Sequence, residues 1–147
     1  MEELKVKRIE NGTVIDHIDG GKALEVYRIL NIKEGLPVTL AMNVSSKKRN
    51  KKDILKIEGL ELSKEDVNKI SLISPNATIN IIKNGKVIFK SKLDIPEKIE
   101  GILKCTNTKC ITNQEQIESK FIVEKKHPLK IRCIYCEKFI SSIIYSK

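Results

Sequence analysis

Four cysteines stand in the last third of this 147-residue chain, as Cys105-x4-Cys110 and, after 22 intervening residues, Cys133-x2-Cys136. Two close pairs separated by a hairpin-sized insert can converge on one ion, and four thiolates are a donor set that structural zinc prefers. With all four positions taken by sulfur, no place is left for a reacting water, so the centre is structural rather than hydrolytic. Reduced thiols without metal, two disulfides and an iron–sulfur cluster are the competing readings of the same spacing. Clustered cysteines, with none in the first hundred residues, favour metal over a disulfide framework. His127, between the pairs and beside Pro128, reads as a loop histidine rather than a substitute ligand.

A second constellation lies earlier. Asp16-His17 ends the extended run 13–15, where the two side chains leave the sheet. Lys52, Ile54 and Lys56 are spaced by two, so in a strand both ammonium groups share one face. Lys90 follows on a later strand. Lysines converging beside His17 would hold a polyphosphate as point charges. The competing reading is a solvated face of a lysine-rich chain. There is no Gly-rich phosphate loop and no Walker-type lysine, so phosphoryl transfer is not indicated.

The elements that must position these residues alternate. After a strand-like stretch over 4–9, Asn11-Gly12 breaks the run. Residues 23–30 then place Ala23, Leu24, Val26, Tyr27, Ile29 and Leu30 at helical spacing. Strands are expected over 37–44 and 54–57, with a basic loop at 45–52 between them. Ser63 and Asp66 form a capping-box pair that opens a helix, with Val67, Ile70 and Ile73 as its buried stripe and Pro75 ending it. Strands over 78–83 and 86–90 flank Asn84-Gly85, whose type I′ turn needs two positive φ angles. Strand, helix, strand, strand, helix, strand, plus a hairpin partner, is the split βαβ order of a ferredoxin-like α+β domain. A connector spans 93–101, and the 46 residues from Ile102 hold strand-like runs at 120–123 and 139–145. A unit so small needs a staple, and a bound metal contributes on the order of 10 kcal/mol. The expectation is therefore a ferredoxin-like βαββαβ domain over 1–96 and a small all-β zinc domain over 97–147.

Twenty-eight Lys and Arg against 19 Asp and Glu give a formal charge of +9, which favours an anionic partner. A zinc-ribbon nucleic-acid binder using the loop at 47–52 is the alternative reading. An aromatic content of 4% with no Trp leaves few stacking platforms for it. No apolar run is long enough to span a bilayer and the N-terminus has no leader pattern, so a soluble cytoplasmic protein is expected. Without an open metal position, paired carboxylates or a Cys-His nucleophile pattern, an independent enzyme is excluded.

The motifs Gly12-Thr13-Val14-Ile15-Asp16-His17-Ile18, Lys52-Asp53-Ile54-Leu55-Lys56-Ile57-Glu58, Cys105-x-Asn107-x-x-Cys110-Ile111 and Cys133-Ile134-Tyr135-Cys136-Glu137-Lys138 resemble the regulatory chain of aspartate carbamoyltransferase. Pro75-x-Ala77-Thr78-x-Asn80 and Pro96-Glu97-Lys98-Ile99 fit the same family, and the similarity runs from Val6 almost to the C-terminus. The resemblance implies a non-catalytic subunit of de novo pyrimidine synthesis, which dimerises and joins catalytic trimers, typically as six catalytic and six regulatory chains. It implies one allosteric site at which CTP inhibits and ATP activates in the best-known members. Carried over, that site uses Asp16, His17, Lys52, Lys56 and Lys90, with Asn80 and Ile82 nearby. Val6, Ile9, Val14, Ile54 and Val87 line the base and ribose. Cys105, Cys110, Cys133 and Cys136 hold one zinc ion, and Asn107 meets the catalytic chain.

This chain departs from the familiar members at Gly85, where they carry an aromatic, and at Lys7 and Arg8, where they carry acidic and small residues. One geometric difficulty also stands. Val87 and Lys90 fall on opposite faces of an ideal strand, so a bulge, a backbone contact or the strand end must bring them together.

Overall fold

The computed structural model describes residues 9–32, 34–45, 47 and 51–146. It divides into two compact units, Met1–Asp94 and Ile95–Lys147. Val6, Lys7, Arg8 and most of the basic loop lie outside the described residues.

In the first unit the elements follow as β1 (Gly12–Asp19), α1 (Ala23–Ile29), β2 (Val38–Ser45), β3 (Lys51–Glu58), α2 (Lys64–Ile73), β4 (Thr78–Lys83) and β5 (Lys86–Lys92). They form one antiparallel sheet in the order β2-β3-β1-β4-β5, the ferredoxin-like arrangement with an added edge strand. A single core joins Ile15 and Ile18 of β1, Leu55 and Ile57 of β3 and Ile79 of β4 to Ala23 and Val26 of α1 and Ile70 of α2. Both helices therefore cover the same sheet face. The capping box is present: Ser63 Oγ accepts from the Asp66 N–H at 3.1 Å, and Asp66 Oδ2 accepts from the Ser63 N–H at 3.0 Å. Ile70 is fully buried, with Val67 and Ile73 packed partly around it. Asn84 and Gly85 both have positive φ, 53° and 76°, as the hairpin requires.

β1 does not end at Asp16-His17. It continues to Asp19 across a bulge, with a register shift between Ile15 and Ile18 and His17 at φ 57°. Ile18 thereby returns to the core on the same side as Ile15, which an unbroken period of two would forbid. β3 likewise extends through Lys51 and Lys52, whose polar side chains conceal it from an apolar count.

The second unit holds β6 (Lys98–Glu100), α3 (Ile111–Gln114), β7 (Lys120–Lys126) and β8 (Leu129–Cys133), with a three-stranded antiparallel sheet in the order β6-β7-β8. The expected connector thus contains a strand: Ile99, fully buried, pairs with Phe121. Three residues with one apolar side chain are too short to show a period. Residues 139–145 form no strand among the described residues. They make only isolated bridges, Phe139 to Arg132 and Tyr145 to Leu103, so their β-favouring composition is spent on two different neighbours. α3 adds one helical turn directly after Cys110, which the expected all-β unit lacked.

Candidate functional sites

Cys105 and Cys110 flank the first knuckle, Cys133 ends β8, and Cys136 lies in the turn after it. The Sγ atoms of all four lie within 4.8 Å of one another, with Cys105 to Cys136 at 3.8 Å and Cys110 to Cys133 at 3.7 Å. Four sulfurs about 2.3 Å from a central zinc stand about 3.8 Å apart at the edges of a tetrahedron. These distances fit that polyhedron and are far too long for disulfides. The four cysteines are suited to holding one zinc ion, whose chemistry there is to cross-link two chain segments. His127 lies in the two-residue turn between β7 and β8 and does not belong to the group.

Polar groups brace the first knuckle. The Asn113 amide donates to the carbonyls of Cys105 at 2.8 Å and Asn107 at 2.9 Å. Thr112 Oγ1 lies 3.1 Å from Cys110 Sγ. Asn107 Oδ1 accepts from the Lys109 N–H at 3.1 Å, its carbonyl accepts from the Cys110 N–H at 2.9 Å, and its side chain hydrogen-bonds Cys136. In the metal-free thiols, burial pushes Cys105 up to about 12 and also raises Cys133. For Cys136 burial again raises the pKa, but hydrogen bonds from the Asn107 side chain and the Lys138 backbone outweigh it, leaving about 7. A divalent ion reverses such penalties by taking the thiolates directly. Asn113 and Thr112 escaped the sequence reading; their only signal is their place just beyond Cys110, on the turn that must close the knuckle.

The sheet face away from the helices carries a cavity of about 360 Å³. Strand parity and register assemble its lining. On β1, Val14 and Asp16 alternate with core-facing Ile15, and on β3, Ile54 and Lys56 alternate with Leu55. Val14 pairs with Lys56 on one side and Asn80 on the other, and Asn80 pairs with Lys90. Ile82 pairs with Val87, because the β4–β5 register shifts between Ile81 and Ile82 and leaves Ile88 as the extra residue. That bulge puts Val87 and Lys90 on one face and resolves the parity difficulty.

Ile9, Val14, Asp16, Ile54, Lys56, Asn80, Ile82, Val87 and Lys90 therefore all line the cavity, and Gly85 joins them. Lys52 and His17 are not among its lining residues but border Asp16. Lys52 Nζ meets Asp16 Oδ1 at 2.9 Å, and the His17 N–H donates to the same oxygen at 2.6 Å. His17 Nδ1 is 3.9 Å from Asp16 Oδ2. Burial pushes the Asp16 carboxyl up. The Lys52 hydrogen bond, the His17 N–H and the Lys52 and His17 charges more than offset it, so Asp16 ionises below its usual value. The result is a bipolar pocket: the Lys56 and Lys90 ammonium groups and the Asp16 carboxylate, which Lys52 backs from outside the lining, stand beside the apolar side chains of Ile9, Val14, Ile54, Ile82 and Val87.

Asp53 was missed as a candidate in its own right. It is an acidic residue at the core-facing parity of β3, fully buried between the positions of Lys52 and Ile54. That mismatch of type and parity is the signal that could have found it.

Comparison with known proteins covers both units. A family model described as aspartate carbamoyltransferase regulatory chain, allosteric domain, matches residues 4–94, and one described as aspartate carbamoyltransferase regulatory chain, metal binding domain, matches residues 97–145. A regulatory chain of aspartate carbamoyltransferase from Methanococcus maripaludis (strain S2) is 74% identical over 145 residues, covering 99% of this chain and 98% of that protein. The corresponding protein of Methanocaldococcus jannaschii is 66% identical, covering 99% and 97% of the two chains. That of Pyrococcus horikoshii is 57% identical over 141 residues, covering 94% and 93%.

Proposed function

We propose, because this chain belongs to the family of aspartate carbamoyltransferase regulatory chains, that its first unit binds nucleoside triphosphates and its second attaches a catalytic chain. A regulatory, non-catalytic role follows from that membership. The observation that carries the ligand reading is the bipolar pocket, in which lysines and an apolar lining lie on one sheet face.

Lys56 and Lys90, with Lys52 beside Asp16, supply positive charge to a triphosphate, and His17 adds a ring that can hydrogen-bond it. Val14, Ile54, Ile9, Ile82 and Val87 offer the flat apolar surface a base and ribose need, and Asn80 can exchange hydrogen bonds with either. CTP and ATP are the expected effectors. The chain has no Gly-rich phosphate loop, and as a member of a family of regulatory chains it senses a bound triphosphate rather than cleaving it. The zinc-bound unit presents its knuckle, including Asn107, to the catalytic chain. Regulatory dimers then link catalytic trimers in a six-plus-six assembly of the cytoplasm. No helix among the described residues is long and apolar enough to cross a membrane.

Coupling between the sites is reciprocal, and its typical size of about 1–3 kcal/mol corresponds to roughly 5- to 150-fold in affinity. Co-expression with the catalytic chain, purification on a tag carried by this chain, and CTP calorimetry with and without a bisubstrate ligand test the proposal. Co-purification of the catalytic chain and a substrate-dependent CTP affinity are expected. Nucleic acid in place of the catalytic chain, or no CTP binding, would overturn it.

A further inference from the structure

We infer that Asp53, buried under the sheet face that carries the cavity, is the positioning residue that holds the phosphate-facing end of that cavity in shape. The inference rests on the effector reading above.

Along β3, Lys52, Ile54 and Lys56 project toward the cavity face while Asp53, Leu55 and Ile57 project into the core. A carboxylate at a fully buried position is strongly disfavoured unless both oxygens find donors. Both do. Oδ2 accepts from the Ala23 N–H at 2.9 Å and Oδ1 from the Asn43 N–H at 2.7 Å. Neither donor is an ordinary ladder group. Ala23 is the first residue of α1, four positions beyond Asp19, the last residue of β1. Asn43 sits in the bulge of β2, at φ 57°, where the register shifts between Ala41 and Val44.

Both neighbours of β3 are thus irregular at the same level. Across β1, Ile18 pairs with Asp53 and Asp19 with Lys52, immediately beyond the bulge that contains Asp16 and His17. Across β2, Val44 pairs with Lys52 just beyond the bulge that contains Asn43. One buried carboxylate ties the β2 bulge to the start of the helix that follows β1. It thereby fixes how both strands pass Lys52, and with them the 2.9 Å pair of Lys52 with Asp16. Asp53 touches no ligand itself; it acts through Lys52, Asp16 and His17. The far end of the cavity draws Ile82 from β4, Val87 from β5 and Ile9 from the segment before β1, at the opposite end of β1 from the bulge beside Asp53. Loss of the carboxylate should therefore weaken recognition of phosphates and spare recognition of the base.

Asp53→Asn keeps the shape of the side chain but leaves one buried N–H facing an amide NH2. Calorimetry on the intact zinc-loaded chain compares CTP with cytidine for the wild type, Asp53→Asn, and Ile57→Val as a destabilised control on the same strand. Asp53→Asn is expected to weaken CTP about tenfold, the order of one lost charge-assisted contact, with cytidine affinity unchanged. Ile57→Val should leave the CTP-to-cytidine ratio at its wild-type value. Asn43→Ala, which strains the same bulge with Asp53 intact, should lower the ratio too, and it decides the matter if Asp53→Asn does not fold. Equal weakening of both ligands, or an unchanged ratio in the folded variants, overturns the inference while CTP binding by the wild type upholds the effector reading. Absence of CTP binding in the wild type overturns both.

Discussion

Lys56 and Lys90 are the cavity lysines with no carboxylate partner among the described residues, whereas Lys52 is already paired with Asp16. Their replacement gives the sharpest test of the pocket. Lys56 and Lys90 stand at the two ends of one cross-strand row, Lys56-Val14-Asn80-Lys90, and both line the cavity. A hydrogen bond to a charged group contributes about 1.5–3 kcal/mol, hence Lys56→Ala or Lys90→Ala alone should weaken CTP roughly 10- to 150-fold. Neither change should alter the fold, because both side chains lie on the sheet face away from the core. If both lysines serve the same phosphates, the double variant should lose less than the sum of the single losses. Isothermal calorimetry at two salt concentrations reads this directly, since losing an ionic contact also flattens the salt dependence. Undiminished CTP binding in both single variants would refute the placement of the phosphates at this end.

Three further outcomes follow from local geometry. Ser63→Ala removes one half of the α2 capping box and should cost about 1 kcal/mol, lowering the melting transition of the first unit by about 4–8 °C. Asp16 ionises below its reference value of 3.8, so its ionised form contributes stability that is fully present above that value and is lost as pH falls through the lowered one. The stability gap between the wild type and Asp16→Asn, read by denaturant midpoints, should therefore hold at neutral pH and close only at pH values below 3.8; a gap that widens on acidification would contradict this. Asn113→Ala removes the two bonds from the Asn113 amide to the carbonyls of Cys105 and Asn107. It should weaken zinc retention about 10- to 100-fold against a chromogenic chelator, with the four-sulfur cobalt spectrum retained.

Much of this architecture is readable from residue types because local rules and the fold agree. Ser63 with Asp66, Asn84 with Gly85, and the alternation of Lys52, Ile54 and Lys56 each carry a signal confined to a few residues. The cysteine spacing does the same for the metal centre. What escaped is set by tertiary pairing. The bulges in β1, β2 and β5 have no mandatory residue, although His17 and Asn43 are types that tolerate positive φ. β6 escaped because its single buried residue, Ile99, needs Phe121 as a partner before it counts as a strand. Residues 139–145 misled in the opposite direction, since apolar composition cannot say whether one ladder or two separate bridges will use it. Of the candidate effector residues, the lysines and the apolar lining were legible from parity and family resemblance. The common face of Val87 and Lys90 required the β5 bulge, and Asp53 required seeing its donors.

The central claim is a division of labour: thiolates around one ion shape the second unit for docking, while the first unit binds anionic nucleotides by its own fold. Chelator treatment of the assembled complex, followed by size-exclusion chromatography and CTP titration of the released chain, tests it most directly. The account predicts that zinc loss frees the catalytic chain and that CTP binding by the released chain survives. Retention of the catalytic chain after complete zinc removal, or disappearance of CTP binding along with the metal, would contradict it.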